Sequence, residues 1–134
     1  MTPGEAIAHV RRTCLSLPET SERPSHGAPT FFVRGKQSFV TFHDNHHGDG
    51  RLAIWCAAPD GMQSLLTEAA PETYFVPPYV GVRGWLGVRL DGPIDDSELD
   101  GLIEDAYACV APARLVDAAG LEEPAERGQY TDDD

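Results

Sequence analysis

The stretch SHGAPTFFVRGKQSFVTF, Ser25 to Phe42, holds four of the chain's five phenylalanines and its single lysine, Lys36. Within it, TFFVR (30–34) and SFVTFH (38–43) are runs of aromatic and β-branched residues separated by GKQ. Such side chains pack well on a pleated, half-buried surface, and a glycine between two such runs supplies the backbone freedom a tight turn needs. The stretch therefore reads as a β-hairpin turning at Gly35, with TSERPSHGAP (20–29) as a Pro- and Gly-marked lead-in. An antiparallel sheet follows from the hairpin.

Beyond Phe42, HDNHHGDG (43–50) reads as a second turn leading into RLAIWCA (51–57). There Leu52, Ile54 and Cys56 alternate with Ala53 and Trp55, so one face is core and the other carries a tryptophan. WLGVRLDG (85–92) reads as another strand, with Leu86, Val88 and Leu90 set against Trp85, Gly87 and Arg89. The Pro77-Pro78 corner before it cannot sit inside a sheet. Upstream of the hairpin, TPGE predicts a helix with Thr2 as N-cap and Glu5 closing a capping box. Ile7, Val10, Cys14 and Leu15 form its stripe, and Pro18 ends it. PDGMQSLLTEAA (59–70) predicts a helix capped by Asp60, with Gln63 at the third position and Leu65, Leu66 and Ala69 facing inward. The next helix takes Asp95 as N-cap, Glu98 three residues on and Ile94 stapled to Leu99, with a stripe through Leu102, Ile103, Ala106, Cys109 and Val110. A short helix in PARLVDAA closes the domain at Gly120.

This order implies an α+β two-layer sandwich, with helices on one face of an antiparallel sheet and the other face open. The 134 residues, 41% of them hydrophobic, suit one domain over residues 1–120. Residues 121–134 are acidic, lack periodicity and read as a disordered tail. With no long apolar run, neither a membrane span nor a signal peptide is expected, and the default location is the cytoplasm. Cys14, Cys56 and Cys109 form no C-x-x-C pair and read as reduced, buried thiols. The net charge of −12 is unevenly placed: up to Leu90 eight acids meet eight bases, and from Asp91 onward fourteen acids face only Arg114 and Arg127. The first two thirds can thus still present a basic face to a polyanion.

LPETSE, HGAPTFFVRGKQSF, PPYVGVRGWLGVRLDG and ELDGLIEDAYACVAP occur in the order and at the spacing of the MmcQ/YjbR-like family of small bacterial proteins, which the chain resembles over about residues 3–112. The resemblance implies a fold like that of the frataxin homologue CyaY and a DNA-binding role, and it supplies no catalytic residues to carry over. Frataxin-type iron binding is not supported, since the first helix carries Glu5 and little else acidic.

Two candidate sites follow. On the open face, Trp55 and Trp85 suit base stacking, while Arg34, Lys36, Arg51 and Arg89 suit phosphates, with Phe32 alongside. The opposing reading has the face covered and the tryptophans as packing residues. The alternative site is a small pocket in which His26, Thr30, Lys36, Tyr79 and Trp85 receive an anionic ligand or a protein partner. His43, Asp44, His46, His47 and Asp49 can in principle bind zinc or nickel, but no regular spacing fixes two of them together and the twelfth position from Asp44 is Trp55, so the segment reads as a solvated turn and no metal is assigned. Gly81, Gly84 and Gly87 have the wrong spacing for a dinucleotide fingerprint. No catalytic set or cofactor motif emerges, and the expectation is a non-enzymatic DNA-binding protein, with protein or small-ligand binding as the alternative.

Overall fold

In the computed structural model, which describes residues 1–124, the chain runs α1 (Pro3–Leu15), β1 (Thr20–Ser25), β2 (Ala28–Val33), β3 (Gln37–Asp44), β4 (Leu52–Cys56), α2 (Met62–Ala69), β5 (Tyr74–Phe75), β6 (Leu86–Arg89), α3 (Asp96–Val110) and α4 (Ala113–Ala118). The strands form one antiparallel sheet in the order β1-β2-β3-β4-β6-β5. Helices α1 and α3 pack on one face of it, α4 against α3. This is the α+β sandwich expected. The acidic tail falls, for residues 125–134, outside the described residues, whereas the Leu121 amide still donates to Val116 O at 3.0 Å and its side chain rests on the core.

At the Gly35 hairpin, Arg34 and Gly35 both have positive φ, 57° and 68°, and the Lys36 amide donates to Val33 O at 3.0 Å. This turn sense matches the right-handed twist of the strands. Register then assigns the faces. Phe31, Val40, Cys56 and Leu86 lie in one row across the sheet, and Phe42, Ile54, Val88 and Tyr74 in the next. All are buried beneath α1 and α3 with Leu99, Ile103 and Tyr107. The rows between them, Thr30–Thr41–Trp55–Gly87 and His43–Ala53–Arg89, belong to the second face.

Several local expectations need correcting. β1 pairs along its whole length with β2, although TSERPS looks like a lead-in; it is an edge strand, where Pro24 costs no ladder hydrogen bond. Helix α2 starts at Met62 behind Gly61, whose φ of 84° replaces any side-chain cap, so Asp60 does not cap it. Leu66 rests on the core as expected, but Leu65, 62% exposed, and Ala69 face outward, and Met62 and Ala70 join Leu66 in their place. In α1 the buried stripe is Ala6, His9, Val10 and Cys14, with Leu15 outside it. The Thr2/Glu5 capping box forms as expected, and Asp95 accepts from the Glu98 amide at 2.7 Å. The Glu98 carboxylate turns away from the cap to accept from Tyr74 Oη at 2.5 Å. All three cysteines are buried, and none is in a disulfide.

Candidate functional site: a histidine–aromatic cavity on the second sheet face

The second face is not left open. After the Pro77-Pro78 corner the chain turns back over it through a γ-turn: Tyr79 has φ 63° and ψ −62°, and the Val80 amide donates to Pro78 O at 2.6 Å. This is the rarer, strained form of that turn, and it holds Tyr79 out over the sheet, 72% exposed. Gln63 on α2 fixes the returning segment by donating to Gly81 O at 2.8 Å and Trp85 O at 2.6 Å. From the other side the turn after β3 folds inward, with Asn45 and His47 at positive φ and the Asn45 side chain accepting from the Gly50 amide at 2.8 Å. His43 stacks on Trp55 with ring centroids 3.6 Å apart, and His46 meets the same indole edge-on at 4.9 Å. His43 and His46 are therefore packing groups rather than members of a solvated turn.

Between these two flaps lies a cavity of about 550 Å³ whose wall includes His26, Thr30, His46, Trp55, Tyr79 and Trp85. Thr41 and His43 complete it as a hydrogen-bonded pair, Oγ1 to Nε2 at 2.8 Å. Burial disfavours a charged imidazole, and with the neighbouring His46 it lowers the His43 pKa from the ordinary 6.5 to about 4. His43 is thus a neutral wall group near pH 7. Trp85 Nε1 and His46 Nε2 are buried and have no hydrogen-bond partner among the described residues. Two cation–π pairs are set further out on this face, Arg23 over Phe32 at 3.7 Å and Arg51 over Phe75 at 4.0 Å. Phe75 in turn lies flat on Gly87, where a Cβ would come within 3.0 Å of three of its ring carbons. No three histidine, cysteine or acidic side chains gather as a metal site among the described residues.

A family model described as YjbR matches residues 15–109, well over half of the chain. The chain belongs to the YjbR family. A crystal structure of protein DR2400 from Deinococcus radiodurans, which carries a DUF419 domain, superposes with a TM-score of 0.70 at 19% sequence identity, covering 93% of this chain and 95% of that one. At that identity the likeness concerns the fold. No curated protein matches.

In this YjbR-family chain the nominated residues fall into three groups. Trp55, Trp85, His26, Thr30 and Tyr79, drawn from both candidate sites, share one cavity wall. Trp55 and Trp85 are only 5% and 1% exposed, so in this conformation neither offers an open face to a base. Arg34 and Lys36 stand at the hairpin turn, with Lys36 exposed and outside the cavity wall. Arg51 lies over Phe75, and Arg89 is held by both oxygens of Asp91 at 3.1 Å. Sequence reading missed Arg23, His43 and His46 as members of this face. The signal for His43 was its parity with Thr41 in β3; nothing in the sequence marked the inward fold of His46.

Proposed function

We propose that this YjbR-family chain is a ligand-binding module and that its site is the histidine–aromatic cavity. One observation carries the reading: Trp85 and His46 share one cavity wall, and Trp85 Nε1 and His46 Nε2 are removed from solvent with no protein partner among the described residues. A buried polar group without a partner costs about 1–3 kcal/mol, and two at one cavity mark a place that an incoming group completes. The volume suits a small molecule, and the strained Tyr79 turn at its mouth is the kind of backbone outlier that collects at ligand clamps. Three buried cysteines outside any disulfide suit action in the cytoplasm.

Binding of DNA through the same face is the second reading. It is favoured by Arg34 and Lys36 at the tip of the hairpin that borders the cavity, where an unpaired strand could lay its phosphates while one base enters. Both tryptophans of the chain line the cavity, so intrinsic fluorescence reports this site. A fragment library titrated against the full chain should yield compounds that quench or shift this emission with little salt dependence. A single-stranded oligonucleotide that alters it, and loses affinity steeply between about 50 and 200 mM salt, transfers the assignment to nucleic acid. If no fragment and no oligonucleotide changes the emission, the cavity is not a binding site.

A further inference from the structure

We infer that the ligand of this cavity is a small planar oxyanion, an aromatic ring system bearing a carboxylate or a phosphate; the inference rests on the preceding reading of the cavity as a binding site. The chain carries 22 acidic residues and a net charge of −12, yet no acidic residue contributes to the cavity wall. Four of its five histidines, His26, His43, His46 and His47, do contribute, together with Arg83. In a chain whose overall field repels anions, this acid-free recess is a local exception, with the Arg83 guanidinium as its one cationic wall group and the imidazoles as hydrogen-bonding groups.

The hydrogen-bond inventory points the same way. An indole nitrogen only donates, so whatever satisfies Trp85 Nε1 brings an acceptor. Trp85 itself is 1% exposed, so packing holds its indole in place in the wall. Thr30 already donates to Ala28 O at 3.0 Å, and Thr41 is engaged with His43, so neither hydroxyl competes for that acceptor. His46 Nε2 becomes a second donor in the tautomer that places the proton there. An acid-free wall offers a cation no counter-charge, and Arg83 opposes it. The flat body of the ligand is inferred from the aromatic content of the wall: Trp55, backed by His43 and in tilted contact with Tyr79 at 6.4 Å, lines the cavity together with Tyr79 and Trp85.

The test is isothermal titration of the full chain at pH 7 with two matched pairs: 2-naphthoate against its neutral amide, and adenosine 5′-monophosphate against adenosine. In at least one pair the anion should bind about tenfold or more tightly than its neutral twin, as expected of a charge-assisted hydrogen bond, and the responding pair tells carboxylate from phosphate. Trp85→Phe, which keeps a ring and removes the donor, should cost the anion about tenfold and the neutral twin far less. Should that variant fail to fold, His46→Gln carries the same comparison. Equal affinity of anion and neutral twin in both pairs overturns the inference while leaving the cavity a binding site. Binding of none of the four overturns it as well, and the fragment titration then judges the cavity separately. An anion affinity untouched by the folded variants places the anion elsewhere and refutes the assignment.

Discussion

His43 should make folding stability depend on pH in a defined window. Folded, its imidazole is buried against Trp55 with a pKa of about 4, against an ordinary 6.5 when the chain is unfolded. Between those two values the unfolded chain binds a proton that the folded chain refuses. The stability contribution is therefore full above pH 6.5 and is lost as pH falls toward 4. At about 1.36 kcal/mol per pH unit, the displacement corresponds to ~3 kcal/mol at most, and water reaching the ring through the cavity reduces this to roughly half. Urea unfolding of wild type and His43→Phe at several pH values isolates the effect, because the carboxylates titrate alike in both. Phenylalanine keeps the stack on Trp55 and loses only the bond to Thr41, a cost that does not vary with pH over this range. Between pH 7 and pH 4 the wild type should lose about 1.5–3 kcal/mol relative to the variant. A difference constant over that range would show that His43 is not a buried neutral imidazole, and the description of the cavity wall would fail with it.

Gly87→Ala should destabilise the fold by about 1–3 kcal/mol, read as a lower urea midpoint, since the added Cβ meets the Phe75 ring that carries Arg51. Glu98→Ala should cost about 1–3 kcal/mol by leaving the buried Tyr74 hydroxyl unpaired, and Glu98→Gln, which still offers an acceptor, should cost less than half as much in the same assay. Burial and that hydrogen bond hold the Tyr74 pKa above the ordinary 10, so the Glu98→Ala phenol should ionise at lower pH in an ultraviolet titration. Tyr79→Gly should leave the melting temperature unchanged or raised, because glycine relieves the positive φ, and should weaken any ligand of the cavity.

Local period and capping made β4, β6, α1 and α3 legible in the sequence, though not α2, whose expected Asp60 cap does not form. Leu52/Ile54/Cys56 and Leu86/Val88/Leu90 face the core as their alternation implies, and the Thr2 and Asp95 caps start α1 and α3. What escaped was set by tertiary partners. β1 is polar because it closes the sheet at an edge, so it carries no apolar alternation to read. Gln63 resembles a capping residue locally, yet it bonds carbonyls 18 and 22 residues away. Tyr107, the one aromatic residue of α3, carries no signal in the sequence that its hydroxyl donates to Pro18 O at 2.8 Å. The site was half legible. Residue parity placed Trp55 and Trp85 together, and the HGAPTF and PPYVGVRGW segments supplied His26, Thr30 and Tyr79. That both sets form one wall depends on the γ-turn at Tyr79 and on the inward fold of His46 between Asn45 and His47, and positive φ at Tyr79 and His47 is signalled by no strong propensity.

The most direct measurement is the ¹H–¹⁵N spectrum of the two indole groups during titration with 2-naphthoate. The Trp85 Nε1–H resonance should move downfield and become protected from solvent exchange as the buried donor gains an acceptor, and His46→Gln should weaken that response. An unmoved Trp85 resonance under saturating naphthoate, adenosine monophosphate and the fragment hits alike would contradict the assignment of this cavity as the chain's binding site.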